Sequence, residues 1–183
     1  MVQHLILVTG MPGAGKTTLA NMFKRKGSHI MSMGDVIRDI AYERGLDPSS
    51  SVLGNIAKEI RSQDGDAAVA DRCVEKIKSM SHEKVVIDGI RSIAEVSAFK
   101  AQFNAKLVAV YASINTRFGR LQYRRRSDDP LNIEIFNIRD QRELGFSMGH
   151  AIALSDYMII NESRIIDLEN EFCSLLEWLG IDD

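Results

Sequence analysis

The chain has 183 residues, of which 45% are hydrophobic, and this size suits one ordinary domain, residues 1–183, with a full core. A formal net charge of −2 excludes the strongly basic field that a nucleic-acid or membrane-surface partner would need. The two cysteines, Cys73 and Cys173, have no close Cys or His spacing, and the apolar run at the N-terminus is too short for a signal segment. We therefore expect a reduced, cytoplasmic protein without a nucleic-acid or membrane partner; the sequence leaves its oligomeric state open.

Five short apolar runs are the predicted strands, at 5–9, 29–32, 85–88, 107–111 and 157–160. Helix-like amphipathic stretches separate them, and this alternation favours parallel strands with helices on both faces. The expected fold is α/β, with three layers (α/β/α) around a five-stranded parallel sheet. Ligands bind such sheets at the carboxyl ends of the strands, so the residues after each run are the candidates for function.

The first run leads into a glycine-rich octet, Gly10-Met11-Pro12-Gly13-Ala14-Gly15-Lys16-Thr17, which fits the pattern G-x-x-x-x-G-K-[ST]. A helix pattern begins at Thr18, so strand, loop and helix follow in the order that phosphate binding needs. Inward backbone N–H groups, the helix N-terminus and Lys16 would hold the phosphates, and the hydroxyl of Thr17 would ligate Mg²⁺. The pattern predicts an ATP site made by the octet and Thr18, with Mg²⁺ bound alongside the ATP.

The stretch between the second and third predicted strands contains three helix-like pieces, at 36–44, 52–62 and 66–80. A plain crossover between parallel strands needs only about a dozen residues, so the excess predicts a helical insert, about 34–80, over the ligand edge. Asp35 follows the second strand directly. It is either a general base for a hydroxyl acceptor or the N-cap of a helix that begins at Val36.

Asp88 ends the third predicted strand, where a carboxylate would lie beside Thr17 and hold Mg²⁺; capping of the next helix is the alternative. Further along, an unusual density of arginine begins at Arg117, and no acidic residue interrupts 116–126. Arg117, Arg120 and Arg124 have the spacing of one helix face. This spacing is consistent with guanidinium groups that converge on one polyphosphate, although a plain basic surface is the alternative.

Four blocks stand in a fixed order: the octet, Ser32-Met33-Gly34-Asp35-Val36-Ile37-Arg38, Asp88-Gly89-Ile90-Arg91, and Arg126-Ser127-Asp128-Asp129 with Arg139 beyond it. Together they resemble the ordered motifs of adenylate kinases and related nucleoside monophosphate kinases. From end to end the chain is similar to an archaeal family of adenylate-kinase-related, dephospho-coenzyme-A-kinase-like P-loop proteins. The resemblance implies the P-loop NTPase fold of the nucleoside-monophosphate-kinase type.

The resemblance also implies roles for particular residues. Arg38 and Arg91, with Asp35, would bind the acceptor, and Arg139 would clamp the transferring group. Arg120, Arg124 and Arg126 would belong to a short basic lid, about 117–130, over the ATP phosphates. The implied catalytic residues are Lys16, Asp88, Arg120, Arg126 and Arg139, with Thr17 and Asp88 as metal ligands and Arg124 as a further ATP ligand.

The implied reaction is transfer of the γ-phosphoryl group of ATP to a small-molecule nucleotide acceptor, a nucleoside monophosphate such as AMP. Phosphorylation of a hydroxyl on a nucleotide-like molecule such as dephospho-coenzyme A is the alternative within the kinase class. A regulatory switch with slow ATPase activity is the alternative from another class. Such a switch would share the loop and Asp88 but would not need Arg38, Arg91 and the lid arginines together.

Overall fold

The computed structural model describes residues 2–125 and 129–181, and within them the strands form one parallel sheet. The strands are β1 (His4–Thr9), β2 (His29–Ser32), β3 (Lys84–Ile90), β4 (Ala105–Tyr111) and β5 (Tyr157–Ile160). Their spatial order is β2-β3-β1-β4-β5. The predicted three-layer α/β fold with a five-stranded parallel sheet is confirmed. Because β1 lies between β3 and β4, the residues that follow these three strands meet at one edge of the sheet.

Helices connect successive strands, and one more helix follows β5. They are α1 (Lys16–Arg25), α2 (Met33–Glu43), α3 (Ser50–Asp64), α4 (Ala68–Lys78), α5 (Ile93–Gln102), α6 (Ile114–Arg124), α7 (Ile133–Gly145), α8 (Met148–Ala153) and α9 (Ile165–Leu179). Three of them, α2, α3 and α4, lie between β2 and β3, where the sequence predicts a helical insert. None of the helices in the described part of the chain is long and apolar enough to cross a membrane.

Two apolar clusters cover the two faces of the sheet. Leu5 and Leu7 of β1 point into a cluster shared with α2, α3, α4 and α5, whereas Ile6 and Val8 point into one shared with α1 and α9. Successive side chains of a strand alternate between faces, so a strand that is buried on both sides must be apolar throughout. The packing on both faces fixes where the strands end, and with them the polar residues that follow.

The start of α2 differs from the prediction. The helix begins at Met33 with Ser32 as its N-cap, so the expectation that Asp35 caps a helix beginning at Val36 is wrong. The Ser32 hydroxyl accepts a hydrogen bond from the N–H of Gly34 at 3.1 Å, and the Asp35 carboxylate accepts one from the N–H of Ser32 at 3.2 Å. This reciprocal arrangement is a capping box, which satisfies two backbone donors and favours the earlier start despite Gly34.

Candidate active site

The glycine-rich loop joins the carboxyl end of β1 to the N-terminus of α1, and two of its glycines are required by the backbone. Gly10 has a φ of 143°, and a Cβ there would lie 2.3 Å from the carbonyl oxygen of Val110. Gly15 has a φ of 112°, and a Cβ there would lie 2.2 Å from Nδ2 of Asn161. These positive φ angles and close approaches exclude a side chain, and they let the loop pack directly against β4 and the end of β5.

Lys16 folds back across the loop. Its Nζ donates hydrogen bonds to the carbonyl oxygens of Gly10 at 2.7 Å and Met11 at 3.3 Å. Burial lowers the pKa of Lys16 to about 8, opposed by the negative charges of Asp88 and Glu143. An ammonium group that has lost part of its hydration in this way gains strongly from an anion placed beside it.

Asp88 lies near the end of β3, beside an irregularity in the pairing of β1 and β3 between Val8 and Thr9, next to Gly89 with a φ of 97°. Its Oδ1 is buried and has no hydrogen-bond partner among the described residues. Burial raises the pKa of the Asp88 carboxyl group, and the positive charge of Lys16 opposes that increase. A buried oxygen without a partner fits a cation ligand, and the exposed hydroxyl of Thr17 lines the same cleft.

The cleft over the loop has a volume of about 630 Å³, which is in the range of small-molecule sites. Among the described residues, five cationic side chains line it: Lys16, Arg91, Arg120, Arg124 and Arg139. The lining also includes two carboxylates, Asp88 and Glu143. The cationic side chains come from α1, α6, α7 and the end of β3. Their excess over the carboxylates makes the cleft suitable for a polyphosphate.

Arg117 does not face the cleft, which corrects the expectation that it converges with Arg120 and Arg124 on a polyphosphate. Its guanidinium group forms a buried bidentate pair with Asp140, at 2.9 Å and 2.5 Å. It also donates to the carbonyl oxygen of Pro12 at 3.1 Å and lies 4.9 Å from the centre of the Phe136 ring. Arg117 is therefore an internal anchor that fastens α6 and α7 to the glycine-rich loop.

Arg120 lines the cleft, and two of its nitrogens donate hydrogen bonds to Asn161. Nη1 donates to the carbonyl oxygen of Asn161 at 2.9 Å, and Nη2 donates to its Oδ1 at 3.2 Å. The amide of Asn161 in turn donates to the carbonyl oxygen of Ala14 at 2.8 Å. Asn161, the residue after β5, therefore links Arg120 to the loop. It supports the loop from the side of β4 and β5, whereas β3 lies on the other side of β1.

Arg124 and Arg139 also line the cleft, and both form ion pairs with Asp129. Nε of Arg124 lies 2.9 Å from Asp129, and Nη1 of Arg139 lies 3.7 Å from it. One carboxylate therefore holds together two arginines of different helices, an arrangement that an incoming phosphate could take over. The predicted catalytic residue Arg126 lies outside the described residues.

The predicted acceptor residues divide into two groups. Arg91 lines the cleft, and its backbone N–H donates to Glu95 at 2.7 Å. Asp35 and Arg38 are exposed, pair with each other, and are not among the described residues that line the cleft. Ser32, which precedes the helix of Asp35 and Arg38, pairs with Asp88 across β2 and β3, and the charge of Asp35 contributes to the raised pKa of Asp88.

Sequence reasoning missed Asp140 and Glu143, both buried on α7. Glu143 lines the cleft, and its Oε2 lies 3.6 Å from Nε of Arg91. A signal for Glu143 was available, since it stands one helical turn after Arg139 and so shares its face. For Asp140 the sequence gives no comparable signal, because its partner lies on another helix.

A parallel sheet with a glycine-rich phosphate loop after its central strand, and a cationic cleft at the carboxyl edge, defines a P-loop kinase-like protein. A family model described as an AAA domain matches residues 6–140. A UPF0200 protein of Hyperthermus butylicus is 42% identical over 175 residues, covering 96% of this chain and 94% of that protein. The chain therefore belongs to the UPF0200 family, within the AAA-domain family that the model describes.

Two solved kinases share the fold. A shikimate kinase from Bacteroides thetaiotaomicron has a TM-score of 0.60 at 18% identity and covers 97% of this chain and 98% of that one. A sugar kinase from Janibacter sp. has a TM-score of 0.59 at 14% identity and covers 99% of this chain and 96% of that one. At such identities the likeness concerns the fold alone, and a specific relation to adenylate kinases or dephospho-coenzyme A kinases stays a prediction.

Proposed function

We propose that the protein is an ATP-dependent small-molecule kinase that transfers the γ-phosphoryl group of ATP to a small anionic acceptor in the presence of Mg²⁺. The observation that carries this proposal is the cleft itself, where Lys16, Asp88 and described arginines from α6, α7 and the end of β3 face one volume. A regulatory switch needs the loop and Asp88 but does not need Arg91 and the arginines of α6 and α7 together. The arginines therefore favour a site with two substrates.

The chain supplies positioning and charge. Lys16 exchanges its hydrogen bonds to loop carbonyls for the β- and γ-phosphate oxygens, and Arg124 and Arg139 exchange Asp129 for the phosphate chain. Thr17 and Asp88 are the residues that would hold Mg²⁺, which supplies charge neutralisation to the phosphates. Because phosphoryl transfer asks for little covalent chemistry, alignment and neutralisation account for most of the acceleration.

The acceptor side is formed by Arg91 and, at the rim, by the Asp35–Arg38 pair. The backbone N–H of Arg91 donates to Glu95, and its guanidinium group lies 5.8 Å from the centre of the Phe146 ring. A guanidinium group in the wall of the cleft suits a carboxylate or phosphate on the acceptor. A nucleoside monophosphate such as AMP and a hydroxyl acceptor such as dephospho-coenzyme A both carry the required anion.

The test compares Lys16→Ala with Lys24→Ala, which removes an exposed lysine from the same helix. We expect Lys16→Ala to lower ATP-dependent turnover by at least about 100-fold, because a preorganised charge next to the transferring group is lost. The Lys24→Ala variant keeps wild-type turnover, and circular dichroism shows that both variants are folded. Wild-type turnover in Lys16→Ala would refute the proposal, and ATP hydrolysis that no acceptor stimulates would favour the switch.

A further inference from the structure

Glu143 has a carboxylate side chain that lines the cleft. The residues proposed above to bind the phosphates and Mg²⁺ do not include it. Its side chain is only 6% exposed. It stands on α7 four residues after Arg139, so both side chains emerge on the same face of the helix, and both line the cleft. The buried Arg117–Asp140 pair fixes the rotation of α7, which keeps Glu143 turned toward the cleft.

Glu143 lies between the residue proposed to bind the acceptor, Arg91, and the residue proposed to bind the ATP phosphates, Lys16. Its Oε2 is 3.6 Å from Nε of Arg91, which anchors the acceptor in the proposed function. Its negative charge also acts on Lys16, whose pKa it raises against the effect of burial. An acceptor held by Arg91 and attacking the phosphate at Lys16 would therefore bring its attacking atom next to this carboxylate.

The carboxylate of Glu143 also has acceptor positions that no hydrogen bond from the described residues occupies, and a hydroxyl of the acceptor could donate to them. Among the described residues it accepts one hydrogen bond, from Nη2 of Arg142 at 3.2 Å, and the contact with Arg91 is longer than a hydrogen bond. An ionised carboxylate has about four acceptor positions. Asp35 differs, because one of its oxygens accepts from the N–H of Ser32 and the other from Arg38, and it is exposed.

We propose that Glu143 is the general base of the reaction and that the attacking group of the acceptor is a hydroxyl on a small anionic molecule. The inference rests on the proposed kinase function and narrows its substrate class. A phosphate oxygen as the nucleophile would bring a second anion against a buried carboxylate, whereas a hydroxyl donates a hydrogen bond to it. The fixed charge at Glu143 therefore selects for a neutral attacking group.

The step is balanced by the groups present. The O–H bond of the acceptor breaks and its proton passes to Glu143, while the acceptor oxygen forms a bond to the γ-phosphorus of ATP. The bond between that phosphorus and the β,γ-bridging oxygen breaks, and ADP leaves with the electron pair. Glu143 returns its proton to water after the products leave, so ATP and the hydroxyl compound yield ADP, a phosphate ester and one proton.

The first experiment offers two pools of acceptors with ATP and Mg²⁺. One pool contains the hydroxyl compounds shikimate and dephospho-coenzyme A, and the other contains AMP, CMP and UMP. Products are identified by mass and by ³¹P NMR, which separates an ester from a phosphoanhydride. We expect esters, and a nucleoside diphosphate as the main product would overturn the inference while leaving the kinase function intact.

The second experiment replaces Glu143 and needs no knowledge of the acceptor, because slow hydrolysis of ATP uses water as the hydroxyl compound. Glu143→Gln keeps the shape of the side chain, and Glu134→Gln makes the same change at an exposed position of the same helix. We expect kcat to fall about 10²- to 10⁴-fold in Glu143→Gln. The Kd for ATP, measured by calorimetry, stays within about twofold of wild type in both variants.

Three outcomes of this second experiment also overturn the inference. They are a kcat in Glu143→Gln above half the wild-type value, an equal loss in Glu134→Gln, and a larger loss in Asp35→Asn than in Glu143→Gln. Failure of the proposed function has a different signature. In that case no acceptor of either pool is phosphorylated and any ATP hydrolysis is not stimulated by an acceptor, or Lys16→Ala keeps wild-type turnover.

Discussion

The buried pair between Arg117 and Asp140 offers a quantitative test of how the site is supported. The two side chains are 5% and 12% exposed, so removal of one partner leaves an uncompensated charge in the interior. Such a change costs about 3–5 kcal/mol. Arg117→Met also removes the donor to Pro12, so we expect the free energy of unfolding to fall by about 4 kcal/mol, against a typical total of about 5–15 kcal/mol.

The double variant Arg117→Met/Asp140→Leu separates the charge from the packing. With both charges gone neither position leaves an unpaired buried ion, so most of the lost stability returns, as happens when buried ion pairs are replaced by apolar residues. Urea unfolding measures all of the variants. With an m-value of about 2 kcal/mol/M, a loss of 4 kcal/mol moves the midpoint by about 2 M.

The exposed pair of Arg72 and Asp64, with side chains 40% and 51% exposed, is the matched control. Solvent screens such a pair, so Arg72→Met is expected to cost less than about 1 kcal/mol. A loss below 1 kcal/mol in Arg117→Met would refute the reasoning, as would a double variant whose loss equals the sum of the two single losses. Either result would mean that Arg117 is not the internal anchor.

Three further predictions concern other parts of the molecule. Gly15→Ala forces a Cβ into the left-handed region and against Asn161, so we expect ATP affinity to fall at least tenfold and stability to fall by about 1–3 kcal/mol, measured by calorimetry and urea unfolding. Burial, together with the neighbouring His82, lowers the pKa of His29. The unfolded chain therefore binds that proton more readily, and the free energy of unfolding should decrease as the pH drops below about 6.5 and on through the lower folded pKa, a dependence that His29→Phe weakens. Burial raises the pKa of the Cys73 thiol to about 12, so a disulfide reagent at pH 8 should leave this thiol unmodified until urea unfolds the protein.

The sheet and the phosphate loop could be predicted because their signals are local. Each strand is a short apolar run, and the octet specifies a loop whose shape depends on its own glycines at Gly10 and Gly15. Asp88 could be placed beside the loop for a similar reason, since parallel strands bring their carboxyl ends to one edge. These predictions depend only on where the strands end and on their parallel arrangement. The described sheet agrees with the predictions on both points.

The sequence alone could not show which arginines line the cleft and which form internal ion pairs. Helical spacing places Arg117, Arg120 and Arg124 on related faces, but their partners are Asp140, Asn161 and Asp129, which come from other parts of the chain. Whether a guanidinium group meets a carboxylate or an open cleft depends on that tertiary packing. The start of α2 was predicted wrongly because Asp35 was read as an N-cap, whereas it is the partner of Ser32 in a capping box and lies inside the first turn.

The central place of β1 in the sheet has a consequence for how the protein is made. Residues 4–9 are synthesised well before both neighbours of this strand, residues 84–90 and 105–111. Until then the glycine-rich loop has neither the wall that Val110 provides nor Asp88 opposite it. A nascent chain that ends before β4 therefore cannot form the cleft, and the nucleotide site matures only when these long-range pairings close.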